Sequence, residues 1–199
     1  MEPGNHVIRA IFPDGLDTFV AYLEDHSKDN GQNGGILFQP FSRHDKWIGA
    51  EKLAAFRAGL ETEVGAMNWR RLWAAFDASG AISGHVDLRG RHEPCTSHRA
   101  LLGLGVHRDH RTRGLGTRLV EHAIHWALAE TALEWIDLGF LGGNFPAERL
   151  YQRLGFHQQA VIPDMFRIDG VSVSDVAMTK RIRIGTEKSA QGHGVAGTR

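Results

Sequence analysis

The residues best suited to bind an anion lie between Gly105 and Val120 of this 199-residue chain. An apolar strand pattern leads there into an arginine-rich turn, then into Arg111-x-x-Gly114-x-Gly116 and a helical pattern. Backbone N–H groups at such a turn, beside a helix N-terminus, form an anion pocket, and glycines let an anion approach closely. Arginine side chains add charge-assisted hydrogen bonds that suit phosphate. The spacing therefore predicts a pyrophosphate-binding loop.

Two other phosphate-binding loops are excluded by the same residues. A P-loop requires Lys followed by Ser or Thr after its last glycine, whereas Gly116 is followed by Thr117 and Arg118. The dinucleotide-binding fingerprint requires three glycines, and Arg111 occupies the position of the first. The remaining pattern resembles the acyl-coenzyme A loop of the GCN5-related N-acetyltransferases, the GNAT family. A glycine-rich turn with solvated arginines is the alternative interpretation.

A second motif begins at Asn144. The segment Asn-Phe-Pro-Ala-Glu-Arg-Leu-Tyr-Gln-Arg-Leu-Gly-Phe ends at Phe156 and resembles the Asn-x-x-Ala-x-x-Leu-Tyr-x-x-x-Gly-Phe element of the same family at every named position. Asn is a good N-cap, and Pro is tolerated in the first turn of a helix. The apolar positions repeat at i, i+3, i+4 and i+7, which predicts a short helix that ends at Gly155. Two motifs in the expected order favour the family over a chance turn.

The resemblance implies that the chain binds acetyl-CoA as its acyl donor. The residues that it assigns to the pyrophosphate are Arg111, Thr112, Arg113, Gly114, Leu115, Gly116 and Thr117. Backbone groups near Leu104 and Val106 would pair with the pantetheine arm, where two strands of the family's sheet diverge. The side chain of Asn144 would contact the same arm, and helix capping is its alternative role.

Direct transfer of an acetyl group from a thioester to an amine requires proton transfers but no protein nucleophile. The resemblance implies that Tyr151 is the general acid for the departing thiolate, since a phenol is protonated at neutral pH; packing of its helix is the alternative role. His98 begins the strand that leads to the loop, and an imidazole titrates near neutral pH, so His98 is the candidate general base. Glu93, His85 and Asp87 lie on neighbouring segments and remain alternatives.

The resemblance thus implies an acyltransferase that moves the acetyl group to a primary amine of a small molecule, an amino acid or a peptide. Two alternatives stay open: a regulatory module that binds acyl-CoA without turnover, and an acetyltransferase for protein N-termini or lysines. Members of the family often dimerise, which leaves a homodimer open.

Composition indicates a single globular domain. The chain is 42% hydrophobic and 23% charged, and we expect the domain to span residues 1–184, followed by a disordered tail at 185–199. Its formal charge is zero, which argues against nucleic acid as a partner. Cys95 is the single cysteine, and the 12 histidines show no metal-ligand spacing, so we expect neither a disulfide nor a metal. No signal pattern or membrane-spanning apolar run is present, which predicts a cytoplasmic protein without a membrane partner.

The apolar pattern predicts the element order β, α, α, three β, α, β, α, β, β. For this order the resemblance implies an α/β fold of the GNAT acyl-CoA N-acyltransferase type, a twisted mixed sheet of six or seven strands with helices on both faces. We expect the second helix at 45–60 and a hairpin turn at Asp169-Gly170. Gly103 and Gly105 share one face of the strand at 98–106, which indicates close approach of another chain or a ligand, or else a bulge or a crowded helix crossing.

Overall fold

The computed structural model describes residues 6–45 and 49–183. The expected tail at 185–199 lies outside these residues, as do positions 46–48 at the start of the predicted second helix. In the described part of the chain, no helix is long and apolar enough to cross a membrane.

Within the described residues, seven strands form one sheet. In chain order they are β1 (Val7–Ile11), β2 (Arg70–Phe76), β3 (Ile82–Arg89), β4 (Arg99–Val106), β5 (Trp135–Leu141), β6 (His157–Ile168) and β7 (Val171–Arg181). Their order across the sheet is β1-β2-β3-β4-β5-β7-β6. The β4–β5 pair is parallel and every other neighbouring pair is antiparallel. The predicted mixed sheet is therefore confirmed.

Four α-helices of the described chain cover the sheet. They are α1 (Leu16–Ser27), α2 (Ala50–Glu61), α3 (Leu115–Glu130) and α4 (Phe145–Arg153). Successive residues of a strand point to opposite faces, and β2 shows where the helices lie. Leu72 packs in one core cluster with Phe19 of α1 and Phe56 of α2, whereas Trp73 packs in another cluster with Leu119 of α3. Helices thus cover both faces, as predicted.

The local patterns fix most elements but not all of their ends. The second helix begins at Ala50 rather than at residue 45. The last two strands form the predicted hairpin, with φ of 49° at Asp169 and 80° at Gly170. Asp and Gly tolerate this left-handed backbone conformation better than other residues, which explains the turn.

The parallel pair β4 and β5 separates soon after it begins. Only Arg99–Leu101 pairs with Trp135–Asp137. His107 N donates to Ser83 O at 2.9 Å, which extends the β3–β4 ladder. Because alternate residues of an antiparallel strand bond to the same neighbour, the backbone groups of Leu104 and Val106 face away from β3. They lie beyond the end of the β4–β5 pairing, so the sheet opens there.

Candidate active site

The turn between β4 and α3 exposes backbone donors beside the opening of the sheet. Gly114 has φ of 79°, and a Cβ added there would meet no atom within 4 Å. Arg118 N donates to Gly114 O at 3.2 Å, which begins the helical bonding. The first N–H groups of a helix have no acceptor inside it, so those of Leu115 to Thr117 are available to an anion. The turn has the open backbone that a pyrophosphate requires.

The arginines of the turn point in different directions. Arg111 Nε donates to Val106 O at 3.0 Å, and its guanidinium lies 5.4 Å from the centre of the Phe38 ring. Arg118 Nη2 donates to His6 O at 2.9 Å. The exposed side chain of Arg113 makes no hydrogen bond or ion pair with any residue that the structure describes. Arg113 is therefore the one of the three whose charge is uncommitted within the described chain.

The N-terminus of α3 packs tightly against α4. A Cβ added to Gly116 would lie 2.8 Å from Leu150 Cδ1, and 3.6 and 3.7 Å from Val106 and Leu104 side-chain atoms. Glycine permits this contact, because a Cβ at that position would force the Leu150 side chain to move. Gly116 therefore brings together the turn between β4 and α3, the end of β4 and the helix that carries Tyr151.

Asn144 caps α4, as the motif predicts. Its Oδ1 accepts a hydrogen bond from Ala147 N at 3.3 Å. The side-chain amide Nδ2 makes no hydrogen bond with the described residues, so capping leaves a donor free. Both roles considered for Asn144, capping and contact with the pantetheine arm, are compatible with this geometry.

Tyr151 is buried at the α4 surface that faces the sheet. It is 6% exposed, and its ring lies 5.9 Å from the Phe140 ring and 5.7 Å from the Phe156 ring, between centroids. Burial raises the pKa of the Tyr151 phenol well above its usual range, so the hydroxyl is protonated at neutral pH. The hydroxyl has no hydrogen-bond partner among the described residues. The hydroxyl is thus a neutral donor that no hydrogen bond within the described chain occupies.

On the α1 side of the sheet, two glycines of β4 leave room for side chains of β3. A Cβ at Gly103 would lie 2.2 Å from Asp87 Oδ1, and one at Gly105 would lie 2.3 Å from His85 Cε1. The close approach indicated by these glycines is therefore made by the neighbouring strand. The phenol of Tyr22 from α1 covers the same place, with its oxygen 3.1 Å from His85 Nδ1.

His26 of α1 lies over the end of β4. Its ring stacks on that of Tyr22, 5.7 Å between centroids, and packs against Phe38 at 4.9 Å. It is 6% exposed, and its Nδ1 has no hydrogen-bond partner in the described chain. Burial, and then the nearby His85 and Arg111, lower the pKa of His26 to about 3. The imidazole is therefore neutral at physiological pH.

Ion pairs connect the turn after β4 to the C-terminal end of α1. Asp25 Oδ2 lies 2.9 Å from His107 Nε2 and 2.8 Å from Arg108 Nη2. The hydrogen bond with His107 is the largest cause that lowers the pKa of Asp25 to about 2. Asp29 Oδ2 lies 2.5 Å from Arg111 Nη2. Helix α1 and the turn between β4 and α3 are thus held together through charged groups.

An open cleft of about 430 Å³ lies beside these groups, between the segment after α1 and the β6–β7 hairpin. Its lining residues are Gly34, Gly35, Ile36, Leu37, Arg43, Gly142, Gly143, Val171, Ser172, Val173 and Ser174. Gly142 N donates to Ser174 O at 2.9 Å, and Gly143 leads directly into the Asn144 cap. The cleft therefore meets α4 at the end of β5.

Comparison with known proteins decides the family. Residues 40–156 match the sequence profile of the Acetyltransferase (GNAT) family, which is more than half of the chain. The chain belongs to the GNAT family of acetyltransferases. A GNAT acetyltransferase is an acyltransferase that uses acetyl-CoA, so this enzyme takes its acyl group from acetyl-CoA. No curated protein matches the chain at the threshold applied.

Solved structures show the same GNAT fold. A GNAT-family acetyltransferase from Streptococcus pneumoniae is similar with a TM-score of 0.74 and 23% identity, over 89% of this chain and 99% of that one. The yncA protein of Salmonella typhimurium, solved with acetyl-CoA, is similar with a TM-score of 0.74 and 18% identity, over 94% and 99%. A ribosomal-protein-alanine N-acetyltransferase from Brucella melitensis has a TM-score of 0.68 and 18% identity, over 88% and 99%.

The candidate bases of this GNAT enzyme lie at very different places. His98 is exposed in the turn before β4. The eight residues of that strand separate it from the turn between β4 and α3, a span of roughly 23 Å at the usual rise per residue. Glu93 is also exposed, next to Pro94. His85 and Asp87 instead lie buried beside the glycines of β4, and Asp87 is ion-paired with two arginines of its own face.

Several residues around the GNAT site carry no signal in the sequence. Tyr22 and His26 read as positions of an amphipathic helix, and Asp25 and Asp29 as its solvated end. Arg43 lies in a segment without periodicity. Their significance depends on partners that are distant in the chain, such as the Arg111–Asp29 pair. A helical period of about four indicates which face α1 buries, but not what it meets there.

Proposed function

We propose that this GNAT enzyme transfers the acetyl group of acetyl-CoA to the primary amine of a small molecule. The observation that supports this proposal is the cleft beside α4. Its volume of about 430 Å³ lies in the range usual for small-molecule sites. It joins the turn of Gly142 and Gly143 to the helix that bears Asn144 and Tyr151, so an amine held there is close to the groups proposed to bind and activate the thioester.

The donor is held by the other side of the opening in the sheet. The backbone N–H groups of residues 112–117 bind the pyrophosphate, and the free charge of Arg113 adds to them. Arg111 contributes positive charge beside the turn rather than a free donor, because its N–H is donated to Arg108 O and its side chain is engaged with Val106 and Asp29. The backbone groups of Leu104 and the N–H of Val106, which face away from β3, and the free amide of Asn144 align the pantetheine arm, whereas Val106 O is occupied by Arg111. Acetyl-CoA, when bound, supplies a thioester carbonyl as the electrophile.

Tyr151 supplies the proton for the departing thiolate. Its raised pKa keeps it protonated, and its free hydroxyl has no competing partner in the described chain. The base is proposed to be His85 rather than His98, because His85 lies beside Gly105 near the end of β4. Burial lowers the pKa of His85 to about 4, so its imidazole is neutral but weakly basic. Turnover should therefore rise with pH as the acceptor amine itself becomes neutral.

The test is release of the CoA thiol from acetyl-CoA across amino acids, polyamines, aminoglycosides and short peptides, with calorimetry of CoA binding beside it. Turnover on small amines with products confirmed by mass spectrometry supports the proposal. Tight binding of CoA without turnover on any acceptor overturns it in favour of a regulatory module. Turnover confined to peptides overturns it in favour of an acetyltransferase for protein N-termini or lysines.

A further inference from the structure

The charge of the acceptor cleft restricts what it can bind. Among the lining residues in the described chain, Arg43 is the one charged side chain; the others are glycines, aliphatic residues and two serines. A cationic group entering the cleft would meet the guanidinium and no lining carboxylate. An anionic group would meet an arginine at a wall otherwise built from backbone and small side chains. The guanidinium is therefore the charged group of the lining that a ligand meets, with Asp169 and Asp164 placed behind the wall at Arg43 and Ser172.

Arg43 is held in place by the β6–β7 hairpin. Asp169 Oδ2 at the hairpin turn accepts a hydrogen bond from Arg43 N at 3.2 Å and lies 3.5 Å from Arg43 Nη1. A hydrogen bond from the Ser42 side chain, then the one from Arg43 N, lowers the pKa of Asp169, so the anchor is anionic. The position of the guanidinium is thus fixed before any acceptor binds.

This anchoring leaves donors unused. The Nε of Arg43 is buried, with no hydrogen-bond partner among the described residues. Its Nη2 likewise makes no hydrogen bond with them. The side chain is about one-third exposed. A guanidinium has five N–H donors in a planar fork that matches a carboxylate. Nε is buried beside Gly31, so the terminal nitrogens, of which the long contact with Asp169 occupies only Nη1, are the donors left for a ligand.

We infer that the acceptor carries a carboxylate near its amine, as an amino acid does, and that Arg43 binds this carboxylate and orients the amine toward Gly142 and Gly143. The inference rests on the proposed function, since it names the class of small amine. Arg43 is then a residue that determines specificity, because it touches the acceptor and takes no part in proton transfer. A polyamine, which offers only cations, is the class that this cleft excludes.

The test compares each L-amino acid with its carboxamide, which keeps the amine and side chain but lacks the charge. The wild-type enzyme should prefer the best acid over its amide by at least about tenfold in kcat/KM. Arg43→Gln should raise the KM for the acid by about 10- to 100-fold, the usual range for a lost charge-assisted hydrogen bond. It should leave kcat within a few-fold and the KM for the amide unchanged. Arg43→Lys should recover part of the loss, because it keeps the charge but not the fork.

Arg167→Gln is the matched control. Arg167 lies on the same hairpin, is exposed, and pairs with Asp164 outside the cleft. Its substitution should leave both KM values unchanged. Calorimetry with CoA and a thermal melt on each variant separate acceptor binding from loss of the donor site or of the fold.

Three outcomes would overturn the inference: equal use of acid and amide, preference for polyamines, or a KM for the acid that is indifferent to Arg43→Gln. In each of these the enzyme still acetylates small amines, so the proposed function stands. If no amine of any class is acetylated, the proposed function fails, and the inference fails with it.

Discussion

At the residue scale, Tyr151 combines two contributions that a single substitution can separate. Its ring packs between Phe140 and Phe156, whereas its hydroxyl has no partner among the described residues. Tyr151→Phe keeps the ring and removes only the proton donor. We expect kcat to fall by about 10²-fold or more, with CoA affinity and the melting temperature unchanged. Steady-state kinetics, calorimetry and a thermal melt measure the three.

Tyr22, the other tyrosine of the chain, provides a comparison rather than a neutral control, because it contacts the proposed base His85. Its oxygen lies 3.1 Å from His85 Nδ1, so Tyr22→Phe removes a hydrogen bond inside the α1 face. We expect a loss of about 1 kcal/mol in the free energy of unfolding and a smaller effect on kcat. If Tyr22→Phe abolished turnover while Tyr151→Phe did not, the general acid would have been assigned to the wrong tyrosine.

At the level of single residues, the sequence predicts those contacts that a side chain makes with residues nearby in the chain. The Asn144 cap is read from residues within one helical turn, and the structure has it. The side chain of Arg111 was expected at the pyrophosphate, but it contacts Asp29 and Phe38, which lie far away in the chain. No local pattern reports such partners. The same limit applies to the base, since the position of His85 beside Gly105 follows only from strand pairing.

At the scale of elements, the N-terminus of α3 should bind the pyrophosphate through its backbone. Gly114→Asp places a carboxylate where a phosphate is expected and forces a side chain into a left-handed backbone conformation. We expect CoA affinity, measured by calorimetry, to fall by at least about tenfold through like-charge repulsion. Gly80→Asp is the control, because Gly80 also has positive φ and open space around it but lies in the β2–β3 turn. Equal affinities in the two variants would contradict the assignment of the loop.

Strands β4 and β5 are held together at their N-terminal ends by hydrogen bonds to one carboxylate, beyond which they diverge. Asp137 of β5 accepts hydrogen bonds from Arg99 of β4 at 2.9 and 2.5 Å, from Arg91 at 3.0 Å and from Thr179 at 2.7 Å. These contacts hold the strands together where they pair and leave them free to separate further along. The hydrogen bonds and charges of the arginines are also why the pKa of this buried carboxyl is lowered in spite of burial.

Asp137→Asn should therefore destabilise the fold and loosen the donor site. We expect a loss of about 2 kcal/mol in the free energy of unfolding, the usual cost of losing hydrogen bonds to a charged group, and weaker CoA binding. Chemical denaturation and calorimetry measure the two effects. Asp17→Asn is the control, because Asp17 is exposed on α1 and makes only a long ion pair, 3.9 Å from Arg57. A variant as stable as the control would show that the pairing of the strands alone sets the divergence.

At the scale of the whole molecule, the two faces of β4 differ in what packs on them. Side chains of Leu104 and Val106 pack toward α3, whereas Gly103 and Gly105 lie under His85, Asp87 and α1. Alternation along one strand thus gives each face its own set of neighbours. The element order and the family resemblance predict this architecture from the sequence. They do not predict the buried histidines, because burial of a polar group depends on the packing of segments that are remote in the chain.

Those buried histidines predict how the whole fold responds to acid. Burial lowers the pKa of His26 to about 3 and that of His85 to about 4. In the unfolded chain each imidazole is protonated near pH 6.5. In the folded protein these two imidazoles are protonated only at a much lower pH. The unfolded state therefore binds more protons below pH 6.5, so stability is complete above that pH and is lost as the pH falls. Each histidine contributes a slope of about 1.4 kcal/mol per pH unit in this window.

His26→Leu should remove one of these protons and flatten the dependence of the unfolding free energy on pH between 4.5 and 6.5. The groups around His26 are the aromatic rings of Tyr22 and Phe38, the neighbouring His85 and His107, and Arg108 and Arg111. An apolar side chain suits the rings, and it removes a cationic form that the arginines disfavour. His98→Gln is the control for substitution of a histidine as such, since His98 is exposed and lies in the turn before β4, away from α1. Urea denaturation at intervals of half a pH unit measures the slopes.

Carboxylates titrate mainly below this window. Equal slopes in wild type and His26→Leu would therefore mean that His26 is hydrated and protonated in the folded protein. The tight closure of α1 over β4 would then be wrong.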